Sequence, residues 1–224
     1  MSLPLPWFRR TALTAAALTL LLQGPAAMAQ TSQPTLLQRI RQLIGLNRPI
    51  AAGGSRSSAV LTVCVITPRT NIDAKGQARA LVPLPRPTIL AAGPLNEVRI
   101  DRGDQVVWSQ RASSTAAIEG PIPWPIGPIE PGERLTLLLR PRGASGGDFA
   151  RIQLTGANAA EMRLNQGQVD RLGGDGGAWF KAVEAALDAN RVPLAWALLF
   201  APGAPASPDL NVLRREVLSR GCGP

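Results

Sequence analysis

With 224 residues, 45% of them hydrophobic and 17% charged, the chain can bury the core of one domain or slightly more, and Gly 22 with Pro 21 demands turns and short elements. It contains no His and no Tyr, which excludes Ser-His-Asp and Cys-His catalysis, histidine bases, zinc sites with His ligands and tyrosine nucleophiles. The formal net charge of +9 is almost all arginine, and the excess sits early: residues 30–86 carry Arg39, Arg41, Arg48, Arg56, Arg69, Lys75, Arg79 and Arg86 against Asp73 alone.

Residues 1–29 have the layout of a secretory signal peptide. Arg9 and Arg10 precede an apolar run over residues 11–22, then come Gly24, Pro25 and the small residues Ala27 and Ala29. This spacing predicts cleavage between Ala29 and Gln30. The run is ~12 residues where a bilayer span needs ~20, so a removed leader is expected rather than an anchor. The mature chain is expected in the periplasm or outside the cell, with no transmembrane segment.

Residues 30–55 read as a basic amphipathic helix and a linker. Over residues 35–46, Leu36, Leu37, Ile40, Leu43 and Ile44 recur at helical spacing with Arg39, Arg41 and Gln42 opposite. Gly53 and Gly54 lie in the linker that follows. Arg39, Arg41 and Arg48 are candidate contacts for an anionic polymer or protein of the cell envelope, or for a lipid surface. Nucleic acid is not an expected partner outside the cytoplasm. The alternative is that the helix docks on its own chain and the arginines are a solvated face.

From residue 56 to 156 the pattern becomes strand-like. Residues 59–66 form a continuous apolar run with Val60, Val63, Val65 and Ile66, as a strand buried on both faces requires. Residues 97–101 alternate, and Arg102-Gly103 turns them into a second strand at 105–109. Residues 134–140 and 149–155 give two more. Short strands between Gly and Pro turns predict an antiparallel β-sandwich. Cys64 lies in its most apolar strand and Cys222 near the end of the chain. An oxidising compartment permits a bridge between them; the alternative is a buried thiol and a frayed terminus.

Residues 157–224 read as a helical segment packed on the sandwich, giving an α+β chain that is mainly β. Asn158 and Glu161 have capping-box spacing, Trp179, Val183, Ala186 and Leu187 share a helical face, Pro193 opens a further helix, and Ser207-Pro208 starts the last.

Several motifs recur in a recognisable order: Gly53 to Arg56, the Leu-Val-Pro-Leu-x-x-Pro element from Leu81 to Pro87, Trp124-Pro125 followed by Pro131-Gly132-Glu133-Arg134 and an aliphatic strand, and the segment from Gly177 through Trp179-Phe180 to Ala195-Trp196 and Leu199. Together they resemble a family of exported proteins of unknown function found chiefly in cyanobacteria. The resemblance spans residues 53 to about 200 and implies export and a β-then-α layout. It implies no catalytic residues.

The remaining constellations are thin. Asp101 with Asp104, and Glu130 with Glu133, are the closest carboxylate pairs for acid/base or calcium chemistry, but both flank Gly turns where acids are common. Arg102-Gly103-Asp104 is explained by the same turn. The glycines around Asp175 precede a helix without the Lys-Ser/Thr of a phosphate loop. Trp124 lies among Pro121, Pro123, Pro125, Pro128 and Pro131, either as an exposed platform for a sugar or peptide or as a plug over the sandwich. No cofactor is implied. The reading is an exported, non-enzymatic interaction or envelope module. The alternatives are a carbohydrate-binding or carbohydrate-active domain using Trp124, and a peripheral membrane-surface protein using the basic helix.

Overall fold

The computed structural model describes residues 35–43, 50–51 and 62–222. The expected leader, its cleavage site at Ala29 and Gln30, Arg48 and most of the linker lie outside the described residues, and so do the side chains of Arg39 and Arg41.

The strand read from the apolar run is β2 (Thr62–Thr67), in which every residue after Thr62 is buried. Its even and odd positions serve different cores, Val63 and Val65 on one side and Cys64 and Ile66 on the other. A run of β-branched residues suits this position because neither face meets water. Around it forms a four-stranded sheet in the order β1 (Ile50–Ala51), β2, β5 (Thr88–Ala92), β8 (Ile122–Pro123), with each neighbouring pair antiparallel.

The second sheet has six strands. Their order is β3 (Asn71–Ile72), β4 (Ala78–Val82), β10 (Ala150–Gly156), β9 (Arg134–Pro141), β6 (Leu95–Arg102), β7 (Gln105–Arg111). Each pair is antiparallel except β4 with β10, which run parallel from Ala78 beside Ile152 to Val82 beside Gly156. This corrects the expectation of wholly antiparallel strands. The alternation in β4 buries Ala78, Ala80 and Val82 and so selects a face, but it says nothing of the neighbour's direction.

The first core lies between the sheets. Val63, Val65 and Ile89 from the smaller one pack with Val98, Ile100, Leu135, Leu137, Leu139, Ile152 and Leu154 from the larger. The second core covers the other side of β2 and β5, where Cys64, Ile66 and Leu90 meet α1 (Leu36–Leu43), α3 (Gly176–Asp188), α4 (Val192–Leu199) and α5 (Pro208–Arg220). Trp179 and Trp196 are the largest of the helical residues fully buried in it, beside Leu199 and Val217. The smaller sheet is therefore the middle layer. Within α1, Leu36 and Ile40 are 6% and 0% exposed in this core, so their apolar face is spent on the chain's own helices and sheet. Burying two such side chains contributes roughly 1.5 to 3 kcal/mol each.

The helices begin where their caps say they should. Asn158 Oδ1 accepts from Glu161 N at 2.9 Å ahead of α2 (Ala159–Leu172), Asp175 Oδ1 accepts from Gly177 N at 2.9 Å ahead of α3, and Ser207 Oγ accepts from Leu210 N at 3.4 Å ahead of α5. In α2 the fully buried Asn165 donates to Pro83 O at 3.0 Å and accepts from Arg191 at 2.8 Å, tying that helix to the stretch after β4 and to the start of α4. Cys64 and Cys222 are joined as a disulfide with their Cα atoms 5.7 Å apart, which fastens the end of the chain to the middle layer.

Candidate functional site

In the smaller sheet the outer edge of β5 is incompletely covered among the described residues. On one side β5 pairs with β2 through Leu90, Ala91 and Ala92. On the other it pairs with β8 only at Thr88 and Ile89, opposite Pro123 and Ile122. Pro121 and Pro123 carry no N–H, so the chain before β8 cannot prolong the ladder and diverges. Leu90, Ala91 and Ala92 are thus left without a strand partner on that edge among the described residues.

A cavity of about 700 Å³ occupies this wedge. Ala91, Ala92 and Gly93 form one wall, Gly120, Pro121 and Pro123 another, and Phe200, Pro202, Arg214 and Leu218 close it from the helical side. Beside Thr88 and Leu90, the alanines and glycine at 91–93 leave the sheet side of this space with little bulk. The helical wall is held in place by a buried hydrogen bond, Thr88 Oγ1 donating to Phe200 O at 2.6 Å.

Among the described residues Arg214 is the one charged residue in the lining. Its Nε donates to Leu199 O at 2.8 Å, Nη1 to Pro205 O and Asn211 Oδ1 at 3.1 Å each, and Nη2 to Ala204 O at 3.3 Å. All four acceptors are neutral, and no carboxylate among the described residues lies within 4.0 Å of the guanidinium. Burial holds its pKa below the ordinary arginine value, yet a guanidinium stays charged at neutral pH. Arg99, Arg102, Arg140 and Arg191, by contrast, each meet a carboxylate at 2.7 to 3.3 Å.

The residues singled out in the sequence fare differently. Trp124 is 6% exposed, belongs to the core between the sheets and donates its Nε1–H to Gly127 O at 2.8 Å. Its ring offers no face to a ligand, which corrects its candidacy as a binding platform; its neighbours Pro121 and Pro123 line the cavity instead. Asp101 is buried and paired with Arg99 at 2.7 Å, unlike the exposed turn acid the sequence suggested. Glu133 receives Arg102 at 2.8 Å and Glu130 N at 2.8 Å, so it ties down its own turn. Asp175 fills the start of α3 with its own carboxylate, where a phosphate would have to sit. Of the basic early residues, Arg69 is buried with its guanidinium 5.0 Å from the Trp196 ring, and Arg79 pairs with Asp73 at 2.7 Å. Arg39 and Arg41 are placed on α1 without described side chains.

Sequence reasoning missed the cavity because alanine, glycine and proline carry no chemical signature. One signal was present. On α5, Arg214 has no acid three or four residues away on either side, since those positions are Leu210, Asn211, Val217 and Leu218.

Among the described residues, no cluster of three or more His, Cys, Asp or Glu is placed to hold a metal ion, and no helix is long and apolar enough to cross a membrane. No family model, curated protein or solved structure matches the chain.

Proposed function

We propose that the chain is an exported, non-enzymatic interaction module of the cell envelope, a β-sandwich backed by a C-terminal helical segment, which receives part of a partner protein in the cavity beside β5. The observation that carries this reading is the uncovered edge of Leu90, Ala91 and Ala92 opening into an apolar space. Unpaired strand edges are surfaces on which an extended peptide adds a strand, with main-chain bonds for affinity and side-chain pockets for selection. Export is supported by the leader-like first 29 residues and by a bridge of the kind that persists in oxidising compartments. The resemblance to an exported cyanobacterial family also implies export.

The two other readings are less well supported. Trp124 is buried, and the apolar side of α1 is occupied at Leu36 and Ile40. The test is amide hydrogen exchange on the mature protein with and without extended apolar peptides. Protection of outward-facing amides at Leu90 to Gly93 supports the reading; unchanged exchange there, or protection confined to α1, removes it. Mass spectrometry of the exported protein checks for a first residue at Gln30.

A further inference from the structure

Resting on that reading, we infer that the cavity takes the C-terminal end of an apolar polypeptide strand, laddered onto Leu90, Ala91 and Ala92 with its free carboxylate on Arg214. The unpaired edge selects the class of molecule. A hydrocarbon tail has no use for exposed main-chain donors and acceptors, whereas an extended peptide pairs with them. The walls select the side chains: Ala91, Pro121, Pro202 and Leu218 offer apolar contacts, so the inserted residues are small to medium and uncharged.

The positions of β8 and Arg214 select a chain end. An incoming strand shares its edge of β5 with β8, which already holds Thr88 and Ile89, so its main chain has to stop before those residues. Arg214 lies at that same end. Thr88 bonds to Phe200 O, and the adjoining Leu199 O bonds to Arg214 Nε. α5 ends at Arg220, and Cys222 just beyond it is bridged to Cys64, which stands opposite Ala92, so the stretch from Arg214 to Cys222 has its two ends beside the two ends of β5. The six residues from Arg214 to Arg220 rise roughly 9 Å as helix and the last two complete the span, against roughly 13 Å for the four steps from Thr88 to Ala92. A strand whose C-terminus points at Arg214 runs antiparallel to β5, as β2 and β8 do.

Charge and donor count complete the argument. A guanidinium has five N–H donors, and four are used here on neutral acceptors, leaving one on Nη2. A half-buried cation with no carboxylate nearby attracts an anion, and the charge-assisted bond offsets the hydration that the carboxylate loses on entering the apolar groove. A terminal carboxylate brings that anion without an extra side chain to order.

The experiment is an array of tetrapeptides built from Ala, Val, Leu, Ile and Phe, each made with a free C-terminal carboxylate and as the amide, with binding of the mature protein followed by titration calorimetry. The best acids are expected to bind at least tenfold more tightly than their amides, with N-methylation of alternate peptide nitrogens abolishing binding. Arg214→Gln should erase the acid–amide difference. Because Arg214 also holds carbonyls of the α4–α5 connection, circular dichroism of the variant accompanies it, and the acid–amide comparison on the unaltered protein stands without it. Equal binding of acid and amide overturns the carboxylate assignment and leaves the groove reading intact. Equal binding of an amidated peptide ending in Glu overturns the chain-end assignment. Competition by decanoate at the same concentration overturns the strand. No binding by any peptide overturns both this inference and the function it rests on.

Discussion

Glu97 and Arg140 stand directly opposite one another on β6 and β9 and form a 2.7 Å salt bridge in which the carboxylate side chain is 6% exposed. Arg111 on β7 approaches the other oxygen at 3.4 Å. On the same outer face Arg99 pairs with Asp101, and the Phe149 ring lies 5.3 Å from the Arg99 guanidinium and 5.7 Å from that of Arg140. Charges so far from water depend on their partners more than they add to stability. Arg140→Met, which strands Glu97 with Arg111 alone, is expected to destabilise by about 1 to 3 kcal/mol in urea unfolding. Joint replacement by Glu97→Leu and Arg140→Met should recover most of that loss. A double variant as weak as the single one would contradict the argument.

Cys64 and Cys222 enclose almost the whole described fold and stand 158 positions apart in sequence. A loop of that length contributes about 5 kcal/mol in the chain-entropy treatment. Cys64→Ala with Cys222→Ser should lower the melting temperature sharply and speed exchange in α5 before the strands of the larger sheet. The unaltered protein, denatured without reductant, should titrate no thiol.

The turn between β3 and β4 is set by one carboxylate. Asp73 Oδ1 accepts from Lys75 N and Gln77 N at 2.9 Å each, and its other oxygen meets Arg79 at 2.7 Å. The Gln77 bond first, then Lys75 and the Arg79 charge, hold its pKa below the usual 3.8 despite an opposing effect of burial. A lowered folded-state pKa means the turn's stabilisation is complete above about pH 4 and is lost as pH falls through the folded value. The protection of the Lys75 and Gln77 amides, measured as exchange relative to the intrinsic rate at each pH, should fall in that acid range. In Asp73→Asn protection should already be lower at neutral pH and should not fall further there.

Gly156 ends β10 where the chain before β9 crosses closest. A Cβ at this position would lie 2.3 Å from Glu130 O, a backbone atom, and the Gly156 N–H and C=O already bond to Glu133 O and Gly132 N. Gly156→Ala forces the strand end and the turn apart and should cost about 1 to 3 kcal/mol. Gly174→Ala, with open space around its Cβ, is the matched control and should change stability little.

Much of the layering is legible in residue order, for reasons that differ by element. The unbroken apolar run around Cys64 identifies a strand with no wet face, and it became the middle layer. Asn158, Ser207 and Pro208 mark helix starts because capping is local chemistry. The parallel pairing of β4 with β10 is not legible, since alternation reports a face and partners so distant in sequence leave no local trace. Glu97 and Asp101 look like solvent-facing residues because they alternate with Val98 and Ile100; the arginines that meet Glu97 arrive from β9 and β7, and Arg99 beside Asp101 is itself stacked on Phe149. Trp124 admitted two readings, and only the position of the core separates them. The cavity beside β5 is written in residues chosen for absence of bulk, and absence is what a pattern search passes over.

The bond between Cys64 and Cys222 also decides how the molecule breaks. Every loop from the β2–β3 turn to the α4–α5 connection lies inside the ring it closes, so a protease that cuts any one of them opens the ring without releasing a fragment. Two halves stay tethered, held by both cores, and migrate as one species until a reductant separates them. In surroundings where hydrolases are common, a single cut is survivable damage.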